Sequence, residues 1–160
     1  FHVYLASALA NLPEDIRDSF RLYLEELAKA IDKTGHLTYV PHRYTDPIKH
    51  ADVDDVEIDK MEEEVVKNIP LVVAVFDYPS NGLGMEIAEA YVGKTPVIGL
   101  IKKDIRLSKR VSGKLRRMQN EGIKTEIYVY ENQPEAIKKV SELVMKFESD
   151  MIKRIEKNKI

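Results

Sequence analysis

Short apolar runs alternate along this chain with longer stretches of helical period, and that alternation restricts it to folds in which helices cover a parallel sheet. Residues 2–6 (HVYLA), 37–40 (LTYV), 71–76 (LVVAVF), 96–101 (PVIGLI) and 125–130 (TEIYVY) are rich in β-branched and aromatic side chains and are bounded by turn formers. They are read as strands. After Pro13, residues 14–31 place Ile16, Phe20, Tyr23, Leu24, Leu27 and Ile31 three and four apart, one apolar stripe of a helix. Residues 56–68 repeat the pattern with Ile58, Met61, Val65 and Val66, which are expected to pack on the sheet, until Pro70 stops it. Helices are also predicted over residues 83–92, 107–120 and 134–155. The expected architecture is an α/β three-layer sandwich around a five-stranded, mostly parallel sheet, Rossmann-like or flavodoxin-like, in one domain over residues 1–160 with a helical tail from about residue 134 to 160. The irregular stretch 41–55 follows the second strand, so it is expected at the carboxyl edge of the sheet, where ligands bind in such folds.

Composition narrows the functional classes. Of 160 residues, 44% are hydrophobic and 32% charged, which suits a folded chain, and the formal charge of −2 supplies no overall field to hold nucleic acid polymers or an anionic membrane. Cysteine is absent, which removes disulfides and thiol nucleophiles. No apolar run approaches the ~20 residues of a membrane span. A cytoplasmic location is expected. The four histidines, His2, His36, His42 and His50, show no ligand spacing, so neither metal nor cofactor is expected.

The segment of residues 71–90 carries the most chemistry, because an apolar strand runs through Pro-Ser-Asn-Gly-Leu-Gly straight into a helix. Gly82 and Gly84 leave backbone N–H groups open to a ligand, and a helix amino terminus favours an anion. The Ser80 hydroxyl is placed to join them. Glu86 admits two readings from the residues alone, a carboxylate stabilised by the helix dipole or a reactive group.

Residues 79–90 (PSNGLGMEIAEA) resemble the P-S-x-G-x-G-x-E-[IL]-x-x-A motif of the 2′-deoxynucleoside 5′-phosphate N-hydrolases, within the nucleoside 2-deoxyribosyltransferase-like group. The resemblance implies that Glu86 is the nucleophile at the anomeric carbon and that Ser80 binds the 5′-phosphate. HVYLAS is similar to the first strand of that family and puts Tyr4 at the position of a tyrosine lining the site. LSKRVSG, residues 107–113, resembles a segment whose serine reaches the phosphate of a neighbouring subunit, a role that falls on Ser108 in a homodimer. The likeness runs from Val3 to about Tyr130. It departs where the family's glycine after the first strand is replaced by Ser7 or Ala6, and where the arginine that follows has no counterpart near Leu9. Arg17, Arg21, or the pair His42 and Arg43 stand as substitutes for its charge. The family's second acid, counted back from Ala74, lands on Glu62, whereas residue type favours Asp59 one turn earlier.

Two acids suit the reaction that the resemblance implies, since cleavage of a C1′–N bond passes through an oxocarbenium-like state that one carboxylate traps while the other orients a hydroxyl or moves a proton. Tyr44 and Tyr78 are placed to stack on a base, with Tyr39 as a strand residue. The stretch 102–117 holds eight of the 25 Lys and Arg residues, which reads as a positive rim for nucleotides rather than as a polymer-binding surface, since it lacks interleaved aromatics. The expected activity is hydrolysis of a nucleoside 5′-monophosphate to base and sugar 5-phosphate. Base exchange by a deoxyribosyltransferase and noncatalytic nucleotide sensing are the alternatives.

Overall fold

Strand β3 (Leu71–Val75) is buried at every residue, because helices cover both of its faces. In this computed structural model, which describes residues 1–10, 12–46 and 49–157, β3 is the middle strand of a five-stranded sheet. Its neighbours are β1 (His2–Ser7), β2 (Leu37–Tyr39), β4 (Val97–Lys102) and β5 (Thr125–Tyr130), in the order β2-β1-β3-β4-β5. Every ladder is parallel, in keeping with the mostly parallel sheet expected. Residues 47–48 of the irregular stretch and 158–160 of the tail lie outside the described residues.

The alternation of side chains along the strands builds two cores. Val3, Leu5, Val73 and Val75 point to one face, where α1 (Glu14–Asp32) contributes Phe20, Leu24, Leu27 and Ile31 and α5 (Gln133–Lys157) contributes Val140, Val144 and Phe147. Tyr4, Ala6, Val72 and Ala74 point to the other. There α2 (Asp55–Asn68) supplies Val66, α3 (Asn81–Gly93) supplies Leu83, Ile87 and Ala90, and α4 (Lys109–Asn120) supplies Leu115 and Met118. No described helix is long and apolar enough to cross a membrane.

Caps explain where the helix starts differ from the sequence reading. Ser80 accepts a hydrogen bond from the Leu83 amide at 3.2 Å, so α3 opens at Asn81, two residues ahead of expectation. Ser108 does the same for the Val111 amide at 3.2 Å, which delays α4 to Lys109. The phase of α2 differs as well. Met61 is exposed, and it is Ile58, Glu62, Val65 and Val66, spaced by four, three and one, that turn inward. His36, expected as a turn residue, is buried and stacks on Phe1 with ring centroids 4.0 Å apart.

Close packing at the C-terminal end of α3 depends on one glycine. A Cβ at Gly93 would lie 2.7 Å from both the Cα and the carbonyl oxygen of Lys67, backbone atoms that cannot swing aside. In α4, a Cβ at Gly113 would meet nothing within 4 Å. Gly93→Ala is expected to destabilise the chain by about 1–3 kcal/mol through overpacking, whereas Gly113→Ala should stabilise it by about 0.5–1 kcal/mol through helix propensity. Urea unfolding of both variants checks the pair, and equal effects would contradict the packing of α2 against α3.

Candidate active site

Strand order reverses between β1 and β3, and in an open parallel sheet that switch leaves a crevice beyond the carboxyl ends of the two strands. Ser7 ends β1 opposite Val75 of β3. Its buried Oγ has no hydrogen-bond partner among the described residues. The first turn of α3 rises over the same edge. Gly82 and Gly84 are helical, with no positive φ, and Cβ atoms there would make only ordinary contacts, 3.7 Å from Ser80 Oγ and 4.0 Å from Val111 Cγ2. The fold therefore accepts a side chain at both positions, and what glycine adds is bare backbone beside the helix terminus. The amides of Asn81 and Gly82, first in the helix, have no intrahelical carbonyl to reach.

Glu86, one turn further along α3, is 6% exposed. Its Oε1 accepts a 2.6 Å hydrogen bond from the Tyr4 hydroxyl, which reaches across from β1, and its buried Oε2 has no partner among the described residues. Burial pushes its pKa up to about 8; the negative charges of Glu62 and Glu89 add to the rise, and the Tyr4 hydrogen bond works against it. Burial and the Glu86 charge likewise raise the Tyr4 hydroxyl far above its ordinary value. One oxygen of this buried carboxyl is thus anchored, and the other meets no donor among the described residues.

Glu62 approaches from α2. It is half-buried, and it accepts a 2.8 Å hydrogen bond from Thr45 Oγ1, from the loop after β2. Burial raises its pKa, and the Thr45 bond lowers it in part. Asp59 is exposed, although it lines the same cavity of about 260 Å³ as Glu62, Gly82 and Glu86. Of the two candidates for a second acid, Glu62 has the closer electrostatic tie to Glu86 and Tyr4.

On the other side of the α3 terminus lies a cavity of about 280 Å³ lined by Tyr78, Ser80, Gly84, Arg106 and Ser108. Ser80 and Ser108 of one chain thus face one space, although they are 28 residues apart in sequence and each also caps its helix. Arg110 and Lys114 line an adjoining groove with the same two serines. Tyr78 packs edge-on against Phe20, with centroids 4.9 Å apart.

The substitutes for the missing arginine lie elsewhere. His42 Nε2 is 2.8 Å from Glu25 Oε1, and Arg43 grips both oxygens of the same carboxylate at 3.0 and 2.6 Å. These bonds, the Arg43 bond first, hold Glu25 down to about 2, while burial lowers His42. Arg21 pairs with Asp46, and Arg17 donates to the Leu12 carbonyl at 3.2 Å. None of the four lines the cavities beside Ser80 or Glu86. Arg106, which does, was hidden within a basic stretch that has no pattern to single it out. Tyr39 was also missed as a site residue. It pairs in register with Tyr4, its ring stacks on Tyr4 at 5.4 Å and on exposed Tyr44 at 4.9 Å, and its buried hydroxyl lacks a partner among the described residues. Burial and the Glu62 charge push that hydroxyl up to about 12.

No family model matches the sequence, and no curated protein is significantly similar to it. Solved structures do share its shape. The CMP N-glycosidase BcmB of Clostridium botulinum superposes with a TM-score of 0.64 at 17% identity, covering 88% of this chain and 97% of that one. A conserved protein from Enterococcus faecalis V583 gives 0.55 at 18% identity over 88% and 97% of the two chains. The 2-deoxyribosyltransferase of Bacillus psychrosaccharolyticus gives 0.57 at 12% identity over 86% and 90%. The chain has the fold of the nucleoside 2-deoxyribosyltransferase-like group.

Proposed function

We propose that the chain hydrolyses the N-glycosidic bond of a nucleoside 5′-monophosphate, with Glu86 as the nucleophile. The observation that carries this reading is the buried Glu86 carboxyl, with Oε1 fixed by Tyr4 and Oε2 bare, at the switch point of a fold shared with a CMP N-glycosidase and a 2-deoxyribosyltransferase. Oε2 attacks C1′, the C1′–N bond breaks toward the base, and a water then attacks C1′ and releases the carboxylate. Glu62, whose pKa burial raises, supplies a proton to a neutral leaving base and recovers one from the water. Ser80, Ser108 and Arg106 hold the 5′-phosphate at the α3 terminus, which favours hydrolysis of nucleotides over base exchange on nucleosides. Tyr78 flanks this phosphate end.

The protein also works as a homodimer in this reading. Helix α3 carries apolar side chains all round, and it leaves Met85 and Val92 exposed on its outer face, at 53% and 66%. That Ser80 and Ser108 of one chain line the same cavity supports a phosphate grip formed within each subunit rather than across the dimer.

Glu86→Gln should abolish turnover and leave folding intact. Between the ordinary carboxylate range and about pH 8 the folded chain keeps a proton on Glu86 that the unfolded chain has released, so wild type loses stability as pH rises through that window and the variant does not. The melting temperature of Glu86→Gln should therefore exceed that of wild type most clearly near pH 8. Turnover within tenfold of wild type removes Glu86 from the mechanism.

The acid limb of kcat/KM should fall below about pH 8, since the nucleophile must ionise first. Tyr4→Phe removes a hydrogen bond that favours the ionised form, so it should move this limb to higher pH; an unmoved limb assigns the titration to another group.

Glu62→Gln should reduce kcat by about 10²–10⁴-fold, the span of one general acid–base group, and Asp59→Asn by far less. Equal, mild losses in steady-state assays would show that neither is the second acid. Mixing Glu86→Gln chains with Ser108→Ala chains should restore no wild-type sites, because both groups act within one chain. Recovery of activity on mixing would place Ser108 across the dimer.

A further inference from the structure

The first two turns of α3 divide two spaces of opposite character. On one side stand Ser80, Arg106 and Ser108, with Arg110 and Lys114 in the adjoining groove. On the other, between α2 and α3, the cavity of about 260 Å³ is lined by Asp55, Asp59, Glu62, Glu86 and Glu89, with Ile58, Gly82 and Met85 as the remainder. Among the described residues, no lysine, arginine or histidine lines it. Lys67, whose charge reaches Glu89, is ion-paired with Glu63. One of the acids, Glu86, is 6% exposed and presents an oxygen with no partner among the described residues.

A neutral nucleoside 5′-monophosphate brings at most two free sugar hydroxyls and a few base N–H groups to such a wall, none of which offsets the charge of these carboxyl groups. A metal ion does not fit either, since no group of three or more His, Asp or Glu side chains among the described residues converges closely enough to hold one. An organic cation does fit, because a flat ring spreads its charge over apolar surface such as Ile58 and Met85 and needs no close ligand shell.

We propose that the substrate is a nucleoside 5′-monophosphate whose base carries a positive charge on the ring, a pyridinium or an N-alkylated purine, its phosphate on the Ser80 side and its base toward the acidic cavity. This rests on the glycosidase reading above and names its substrate class. The chemistry is simpler than for a neutral base. The C1′–N electron pair passes to the ring nitrogen and cancels its charge, so the leaving group takes no proton, while Glu86 Oε2 bonds to C1′. Water then adds to C1′, the carboxylate departs, and one proton goes to solvent. The balance is nucleotide and water in, with sugar 5-phosphate, neutral base and one proton out. The neutral product has lost the charge that held it, which favours its release.

The test compares substrates in matched pairs: 7-methylguanosine 5′-monophosphate with guanosine 5′-monophosphate, their 2′-deoxy counterparts, and nicotinamide mononucleotide with its reduced, uncharged form. Released base is measured by chromatography at low and high salt. The cationic member of each pair should show a KM about tenfold lower at low salt, a preference that screening erodes. Because alkylated bases are intrinsically labile, the decisive readout is Glu89→Gln, which lies outside the reacting groups. Because the Glu89 charge also reaches Glu86, the variant should shift the pH profile of both members of a pair, but it should raise KM for the cationic member several-fold more than for the neutral one. Equal KM values within pairs, or an equal effect of Glu89→Gln on both members, overturns the cationic-base inference alone. No cleavage of any nucleotide overturns both it and the glycosidase reading.

Discussion

A carboxyl group buried at 6% exposure with a single hydrogen bond sets the terms for everything around it. Its desolvation is costly, and the fold offsets little of that cost locally, since Tyr4 supplies one donor and nothing described reaches Oε2. The placement holds only because α3 is pinned from both sides. Leu83 and Ile87 pack among Val72, Ala74 and Phe76, and Gly93 lets the end of the helix lie on the backbone of α2. The Tyr4 hydroxyl that meets Glu86 comes from the strand on the far side of the switch point, so the hydrogen bond measures how closely β1 and α3 approach.

The α3 terminus then acts as an electrostatic divide. Its unpaired amides and dipole favour negative charge near Asn81 and Gly82, and Ser80, Ser108 and Arg106 extend that preference on one side. On the other, the acids of α2 oppose it, and Glu86 sits where the two fields meet. Their nearness is part of why Glu86 and Glu62 both resist ionisation. In a reaction that builds positive charge on a sugar ring, carboxyl groups that are reluctant to ionise alone become better partners once that charge appears, which is where differential stabilisation has to act.

How much of this was legible in the sequence follows from which contacts are local. Strands buried on both faces show as unbroken apolar runs, so β3 and its helices were readable, and the contiguous PSNGLGMEIAEA segment put Ser80 at the cap and Gly82, Gly84 and Glu86 in the first two turns of one helix. The phase of α2 was not readable. Met61 completes an apolar stripe with Val65 and Val66 on paper, but Glu62 takes the inward position beside them, where Thr45 hydrogen-bonds it, and tertiary context overrides the apolar preference there. Tyr39 and Arg106 depend on register and on the packing of distant loops, for which a single sequence holds no signal. His42 and Arg43 show the converse error, since charge beside a predicted crevice was readable but its neutralisation by Glu25, from another element, was not.

Three buried polar atoms at the carboxyl edge have no partner among the described residues: Ser7 Oγ at the end of β1, the Tyr39 hydroxyl at the end of β2 and Glu86 Oε2 on α3. Each unsatisfied group costs about 1–3 kcal/mol, and chains of this size are stable by only about 5–15 kcal/mol in total. Such a concentration is tolerable because the two apolar cores on either side of the sheet are continuous and do not depend on that edge. It also fixes what a ligand gains by entering. A ligand whose polar groups meet Ser7 Oγ and the Tyr39 hydroxyl makes hydrogen bonds that the protein is already positioned to form, without reordering the stack of Tyr4, Tyr39 and Tyr44.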